Sequence, residues 1–296
     1  MRLGIAVVFS YQGGTAAVQD IYHAGKYLDS VSDRLIIFTD VQKDEDLQIM
    51  SQNVNRGHAG VDALKVISNY KTREVLIYTR NPLQMVIQIQ ELLREETWIS
   101  VFFYYSGHSD SGEIRFPGGS RMSFTDLTQI FIQETSPTTE IFCVLDCCYG
   151  GGLGLPYRLD DRGVHQLLDD RNLIQHQMIC LTSSSPDQSS AGDGYGSFFT
   201  RELFKQLQKS NRNLKILLEI INSSCQKTHY QEVHAYASSC RLTAIWPWIY
   251  GSKLSVQQGP ALIVKFVPHE NEHRRDSEPS CSEPVPDFEP DFMVEI

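Results

Sequence analysis

Five short runs, Leu3–Phe9, Arg34–Phe38, Trp98–Tyr105, Glu140–Leu145 and Met178–Thr182, are rich in β-branched and aromatic residues, and helical patterns lie between them. Strands that alternate with helices predict βαβ units and a mostly parallel sheet. Several of the runs are apolar at successive positions, so both faces of the strand must be covered by helices. The expected fold is therefore of the α/β class, a three-layer αβα sandwich with a mostly parallel central sheet.

The helices are placed by their punctuation. Asn81 followed by Pro82 reads as an N-cap and first helical residue, opening a segment with Leu83, Val86, Ile87, Ile89 and Leu92. Ser197 can cap a second helix in which Phe199, Leu203 and Leu207 recur at i, i+4, i+8, and Leu214, Leu217, Leu218 and Ile221 repeat the pattern. These helices are expected to turn their apolar residues to the core. A late strand is expected at Ala261–Val267.

Charge divides the 296 residues unevenly. The chain has 36 acidic and 26 basic side chains, net −10, which argues against a general binder of nucleic-acid backbones. Nine of those acids and two of the bases fall in residues 268–296, with five of the twelve prolines, a composition that predicts a disordered acidic tail and a possible docking segment for a partner. One domain over residues 1–267 plus this tail is the expected organisation.

No apolar run reaches the roughly 18 to 20 residues that span a bilayer. Arg2 and Leu3–Phe9 imitate a short signal peptide, but no small-residue cleavage pattern follows. Seven cysteines, two of them adjacent, form no spaced disulfide framework in a chain of this length. A reducing, cytoplasmic location is the expectation.

In an open parallel sheet, functional groups gather beyond the carboxyl ends of the strands. The run ending at Tyr105 leads into Ser106-Gly107-His108-Ser109-Asp110, and the run ending at Leu145 leads into Asp146-Cys147-Cys148-Tyr149-Gly150-Gly151-Gly152. One strand end thus offers an imidazole and the other a thiol. A thiol becomes a strong nucleophile as its thiolate, which a nearby imidazole promotes, and glycines beside both residues allow backbone N–H groups to approach a developing oxyanion. A lone histidine at a strand end, or a lone buried cysteine, is more often structural; the joint pattern is what carries the reading.

With Tyr104-Tyr105-Ser106-Gly107-His108 followed about 40 residues later by Asp146-Cys147-Cys148-Tyr149-Gly150, the sequence resembles the caspase-like cysteine peptidases (caspases, metacaspases and paracaspases), with motifs most like those of metacaspases. The second cysteine, Cys148, occupies the nucleophile position, in line with a Q-A-C-[RQG]-G signature and a histidine about 50 residues upstream. Val18-Gln19-Asp20-Ile21 resembles the family's first helix start. Ser183–Ala191 is similar to its stretch after the fifth strand, and Gly196-Ser197-Phe198-Phe199 to its small-subunit helix start. The resemblance implies a large-subunit-like part at 1–155, a linker-like part at 156–175 and a small-subunit-like part at 176–267. It implies a His108/Cys148 dyad, with the backbone N–H groups of Ser109 and Cys148 binding the oxyanion, and proteolysis of the kind used in regulated cell death.

The resemblance also places an acidic S1 pocket at Asp20 and Asp146, with Asp193 as a further candidate. Carboxylates of this kind match the fork of arginine best and lysine second, and Ser183–Gly196 contains no arginine of the sort that would bind an aspartate P1. Cleavage after Arg or Lys is therefore expected. The bland readings are a helix N-terminal charge for Asp20 and a turn residue for Asp146. Ser109 replaces the usual glycine after the histidine, yet any residue other than proline offers the N–H.

Arg158, Arg162 and Arg171 lie in the polar stretch Gly154–Asn172, where an Arg-specific enzyme would clip itself; a solvated loop is the equal alternative. Calcium needs several hard oxygen ligands, and Met122–Asp126 offers one carboxylate, so calcium-independent activity, or at most a weak dependence, is expected and no cofactor is called for. His229 and His234 lack the cysteine pair of a zinc site. Two other classes compete with this reading: a catalytically inactive interaction module of the same fold, against which the presence of both His108 and Cys148 speaks, and a flavodoxin-like nucleotide site. The latter is opposed by Gly13-Gly14, which lacks phosphate-loop spacing.

Overall fold

The computed structural model describes residues 1–9, 15–40, 73–77, 82–110, 112–159, 165–168, 174–193, 196–209, 214–229, 231–239 and 263–266. The tail, Arg162, Arg171, Asn81, Gly13-Gly14 and Trp246–Trp248 lie outside the described residues.

The predicted runs form parallel strands. These are β1 (Arg2–Val8), β2 (Arg34–Thr39), β4 (Ser100–Ser106), β8 (Glu140–Asp146) and β11 (Gln177–Thr182), joined by β3 (Arg73–Ile77) and the late strand β15 (Ile263–Phe266). Three short strands, β9 (Tyr157–Leu159), β10 (His165–Leu167) and β14 (His234–Ala237), add antiparallel pairs at one edge. The ten-stranded order is β10-β9-β14-β11-β8-β4-β1-β2-β3-β15. Because β2 and β3 lie on one side of β1 while β4 and β8 lie on the other, the chain reverses its winding direction between β1 and β4. Crevices for ligands open at such a point.

Side chains on a strand alternate between faces, and here each face has its own core. On one face Ala6, Val8, Phe102, Tyr104, Phe142 and Val144 pack with helices α1 (Thr15–Val31), α4 (Phe198–Leu207) and α5 (Leu214–His229). On the other, Ile5, Val7, Phe103, Tyr105, Cys143 and Leu145 pack with α2 (Pro82–Glu95) and α3 (Phe124–Glu134). This is the expected αβα sandwich. Helix α3 is capped by Ser123, whose Oγ accepts the Asp126 N–H at 2.9 Å.

Two expectations about helices need correction. On α2 the buried stripe is Met85, Ile89, Leu92 and Leu93, whereas Leu83 is 67% and Ile87 43% exposed. At 3.6 residues per turn Leu83 and Ile87 fall across the helix from Met85 and Ile89. Ser197 sits at the N-cap of α4, but its side chain makes no capping bond; its backbone N–H donates to Asp20 instead. Leu214, Leu217, Leu218 and Ile221 on α5 are buried as expected. Among the described residues, no helix is long and apolar enough to cross a membrane.

Candidate active site

The parallel register of β4 and β8 pairs Ser106 with Asp146, and the Gly107 N–H donates to the Asp146 carbonyl at 3.1 Å. His108 and Cys148 each lie two residues past that last pair, so the two strands deliver them at the same level beyond the sheet. Contact continues one step further, where the Ser109 hydroxyl donates to the Cys148 carbonyl. His108 is exposed and Cys148 half-buried, while Cys147 is buried in the face packed by α2 and α3. Alternation explains the split: Cys143, Leu145 and Cys147 share one face, Val144 and Asp146 the other. Burial pushes the Cys147 thiol well above the ordinary thiol range.

After the histidine the chain forms a small antiparallel ribbon of β5 (Ser109–Asp110), β6 (Glu113–Arg115) and β7 (Arg121–Ser123). Asp110 pairs with Arg115, and Arg121 lies 3.3 Å from Glu113 and 3.8 Å from Asp110. These exposed pairs contribute little energy, yet they tie the ribbon together directly beside His108.

The cysteine turn is held from below by the segment 183–191. Ser183 Oγ accepts the Cys147 N–H at 3.1 Å, Ser184 Oγ donates to the Cys147 carbonyl at 2.9 Å, and the Gln188 carbonyl accepts the Tyr149 N–H at 2.7 Å. The turn is tight: Tyr149 has φ +52°, a left-handed conformation uncommon for a residue other than glycine. At Gly150 any Cβ would meet the Ser184 carbonyl oxygen and Thr182 Cβ, both at 2.9 Å, so a glycine is needed where the turn crosses β11. Cys148 Sγ lies 4.0 Å from the Ser190 carbonyl oxygen.

Asp20 and Asp146 are brought together. On α1 the buried stripe runs Ala17, Asp20, Ile21, Ala24, Tyr27, Leu28 and Val31, so Asp20 occupies a core position of an amphipathic helix, in its second turn rather than at its start. Asp20 accepts the Ser106 hydroxyl at 2.7 Å and the Ser197 N–H at 2.9 Å. Asp146 accepts the Ser190 hydroxyl at 2.9 Å and the Thr200 hydroxyl, and Thr200 Oγ1 in turn lies 2.7 Å from the Tyr104 hydroxyl. Since Thr200 gives its one proton to the carboxylate, Tyr104 must donate to Thr200. Gly196, at φ +106° in the two-strand ribbon of β12 (Gly192–Asp193) and β13 (Gly196–Ser197), leaves room for this arrangement, because a Cβ there would sit 2.7 Å from Asp20 Oδ1.

The electrostatics of the pair follow from burial. Asp20 is 2% and Asp146 4% exposed. Desolvation, then repulsion from Asp146, raises the Asp20 carboxyl to about 8, against bonds from Ser106 and Ser197 and the more distant charge of Arg201, which favour its charged form. Asp146 is raised by desolvation too, opposed by its hydroxyl donors. Among the described residues, no lysine or arginine forms an ion pair with either carboxyl. Asp193 stands apart: it is exposed and paired with Arg201 at 2.9 Å.

Sequence reasoning missed much of this support. Gln231 is buried and donates to the Ser183 carbonyl at 2.6 Å and to Ser190 Oγ at 3.2 Å, while its Oε1 accepts the Ala191 N–H at 3.3 Å. No local signal marks it, because it reaches the turn from the segment leading into β14. Arg158, one of the expected clipping positions, lies on β9 between Gln166 and Tyr236 of the flanking strands. Among the described residues, no group of three or more His, Cys, Asp or Glu side chains is arranged to hold a metal ion.

Comparison with curated proteins gives no match. Among solved structures, the chain is similar to protein GSU0716 from Geobacter sulfurreducens, with TM-score 0.50 and 10% identity over 80% of this chain and 92% of that one. It is similar also to caspase-1 from Spodoptera frugiperda, with TM-score 0.46 and 14% identity over 81% and 86% of the two chains. The profile of the caspase domain, peptidase family C14, matches residues 68–250, more than half of the chain and a span that includes both His108 and Cys148 but not Asp20. On that match, the chain belongs to the caspase-domain family of cysteine peptidases.

Proposed function

We propose that the chain is a cysteine endopeptidase that cleaves protein or peptide substrates after Arg or Lys, with preferences of the metacaspase kind. His108 takes the proton of Cys148, and the thiolate adds to the scissile carbonyl carbon. The carbonyl electron pair moves to the oxygen, which the N–H groups of Ser109 and Cys148 receive. His108 then protonates the leaving amine, and water hydrolyses the thioester by the same route in reverse.

The observation that carries the basic preference is the Asp20–Asp146 pair, two buried carboxyls with hydroxyl and N–H donors but no ion-paired cation among the described residues. A guanidinium or ammonium from the substrate supplies the missing charge, and the planar donors of arginine satisfy two carboxylates at once. Self-processing belongs to the same reading. Arg158 is a poor site for it, being paired on both sides within the sheet, which leaves Arg162 or Arg171.

Fluorogenic peptides with Arg, Lys or Asp at P1 test the proposal on wild type and Cys148→Ala. Arg and Lys peptides are expected to turn over, with a loss of about 10⁴-fold or more on removal of the nucleophile. Turnover of Asp peptides alone would sink the acidic-pocket argument, and no turnover at all would favour the interaction module.

A further inference from the structure

The two N–H groups assigned above to the oxyanion belong to the peptides His108–Ser109 and Cys147–Cys148, and in each the carbonyl of the same peptide is held on the opposite side. No peptide among the described residues is cis, and in a planar trans peptide C=O and N–H point in opposite directions. The His108 carbonyl accepts the Tyr105 hydroxyl at 2.7 Å and the Arg115 N–H at 3.0 Å. Ser109 N–H is thereby turned away from Tyr105 and from β6. The Cys147 carbonyl accepts the Ser184 hydroxyl at 2.9 Å, with Ser183 Oγ at 3.2 Å. Cys148 N–H is thereby turned away from the segment 183–184.

Tyr105 and Ser184 are each fully buried. Their hydroxyls are anchored from different parts of the fold: Tyr105 rises from the face packed by α2 and α3, and Ser184 follows β11. The Ser109 hydroxyl, bonded to the Cys148 carbonyl, then keeps the two peptides side by side. Resting on the peptidase reading above, we propose that Tyr105 and Ser184 are positioning residues that aim the two oxyanion donors. Neither touches the substrate. Each fixes the plane of a peptide whose far side faces the reacting carbonyl oxygen, so the donors need no reorganisation when charge develops there.

Tyr105→Phe and Ser184→Ala test this with three readouts on the full chain. For an Arg-P1 peptide, kcat is expected to fall about tenfold in each variant with KM unchanged, less than the roughly 10²–10³ for outright loss of a donor. Affinity for a peptidyl argininal, whose hemithioacetal oxygen occupies the same position, should fall by the same factor. Alkylation of Cys148 by iodoacetamide, a displacement at carbon that forms no oxyanion, should stay within about twofold of wild type, because it reads the thiolate alone. Alkylation slowed as much as kcat, or kcat retained in either folded variant, would overturn the assignment. Tyr105→Phe keeps the ring and its packing, so it decides the matter if Ser184→Ala does not fold. Wild type that turns over no basic peptide defeats the peptidase reading itself; active wild type with an equally active Tyr105→Phe defeats this inference alone.

Discussion

The two faces of the central sheet near its carboxyl edge are built from the same strands and differ in what they bury. Towards α2 and α3, β4 and β8 present Phe103, Tyr105, Cys143, Leu145 and Cys147, a continuous apolar layer. Towards α1 and α4 the same strands begin as apolar, with Phe102, Tyr104, Phe142 and Val144, and end in Ser106 and Asp146, opposite Asp20 and Thr200. One face is core to its end. The other gives up its last layer to a pair of carboxyls that folding alone would not select, since burying ionisable groups costs several kcal/mol in general. On the proposed function, the difference teaches that stability and selectivity are separated across a single sheet by the two-residue period of its strands.

That separation is most directly broken by substituting one side at a time. Asp146→Asn is expected to lower kcat/KM for an Arg-P1 peptide by about 10²-fold or more, because the substrate cation then meets one carboxyl in place of two. Its melting temperature at pH 6 should stay close to wild type, the hydroxyl donors being able to rotate. Phe103→Ala, which removes a ring packed 5.4 Å from that of Phe131, should cost about 3–5 kcal/mol of stability and leave the Arg-to-Lys preference of the surviving folded protein unchanged. Denaturant titration and kcat/KM ratios measure both. If Asp146→Asn unfolds the protein as Phe103→Ala does, the pair is structural and the comparison fails.

How far these features could be read from sequence depends on how local their causes are. The five parallel strands were legible because a strand covered on both faces must be apolar at successive positions, as Val101–Tyr105 and Ile141–Leu145 are. Strands β9, β10 and β14 were not, since three or four mixed residues at a sheet edge acquire their conformation from a partner far along the chain. The strand-end motifs exposed His108 and Cys148, and family likeness pointed to Asp20 and Asp146. Ser106, Thr200 and Gln231 look like ordinary polar residues in the sequence, because their burial is a property of the assembled site. At Leu83 and Ile87 apolar identity alone points to the core, but helical phase turns both side chains to the outer side of α2.

The comparison is sharpened by pH. The Asp20 carboxyl, raised to about 8 by burial and by Asp146, retains in the folded state a proton that the unfolded chain releases near its ordinary value of 3.8. Its contribution to stability is thus fully present below the ordinary value and is lost as pH rises through about 8. On the proposed function, substrate binding runs the other way. A cationic P1 group needs the carboxylate, so the proton must leave, and KM for an Arg-P1 peptide should fall by up to about tenfold per pH unit on approaching pH 8. Asp20→Asn should flatten both trends and be more stable than wild type at pH 9. Proton release on binding of an Arg-P1 inhibitor, followed by calorimetry in buffers of different ionisation enthalpy, checks the coupling. A KM that rises with pH in this window would contradict it.

The smallest effect is expected on the outer side of α2, which bounds the apolar face but does not belong to it. Replacing Leu83 and Ile87 together by Gln removes no packed core contact, as their exposure of 67% and 43% requires, and should change stability by no more than about 0.5 kcal/mol. Ile89→Ala, two residues further along the same helix and 3% exposed, should cost about 2–5 kcal/mol. The contrast tests helical phase rather than hydrophobicity, since the residues compared are all aliphatic. Equal destabilisation by the two changes would mean that α2 is rotated about its axis, and with it the apolar layer against which the polar face of the sheet is defined.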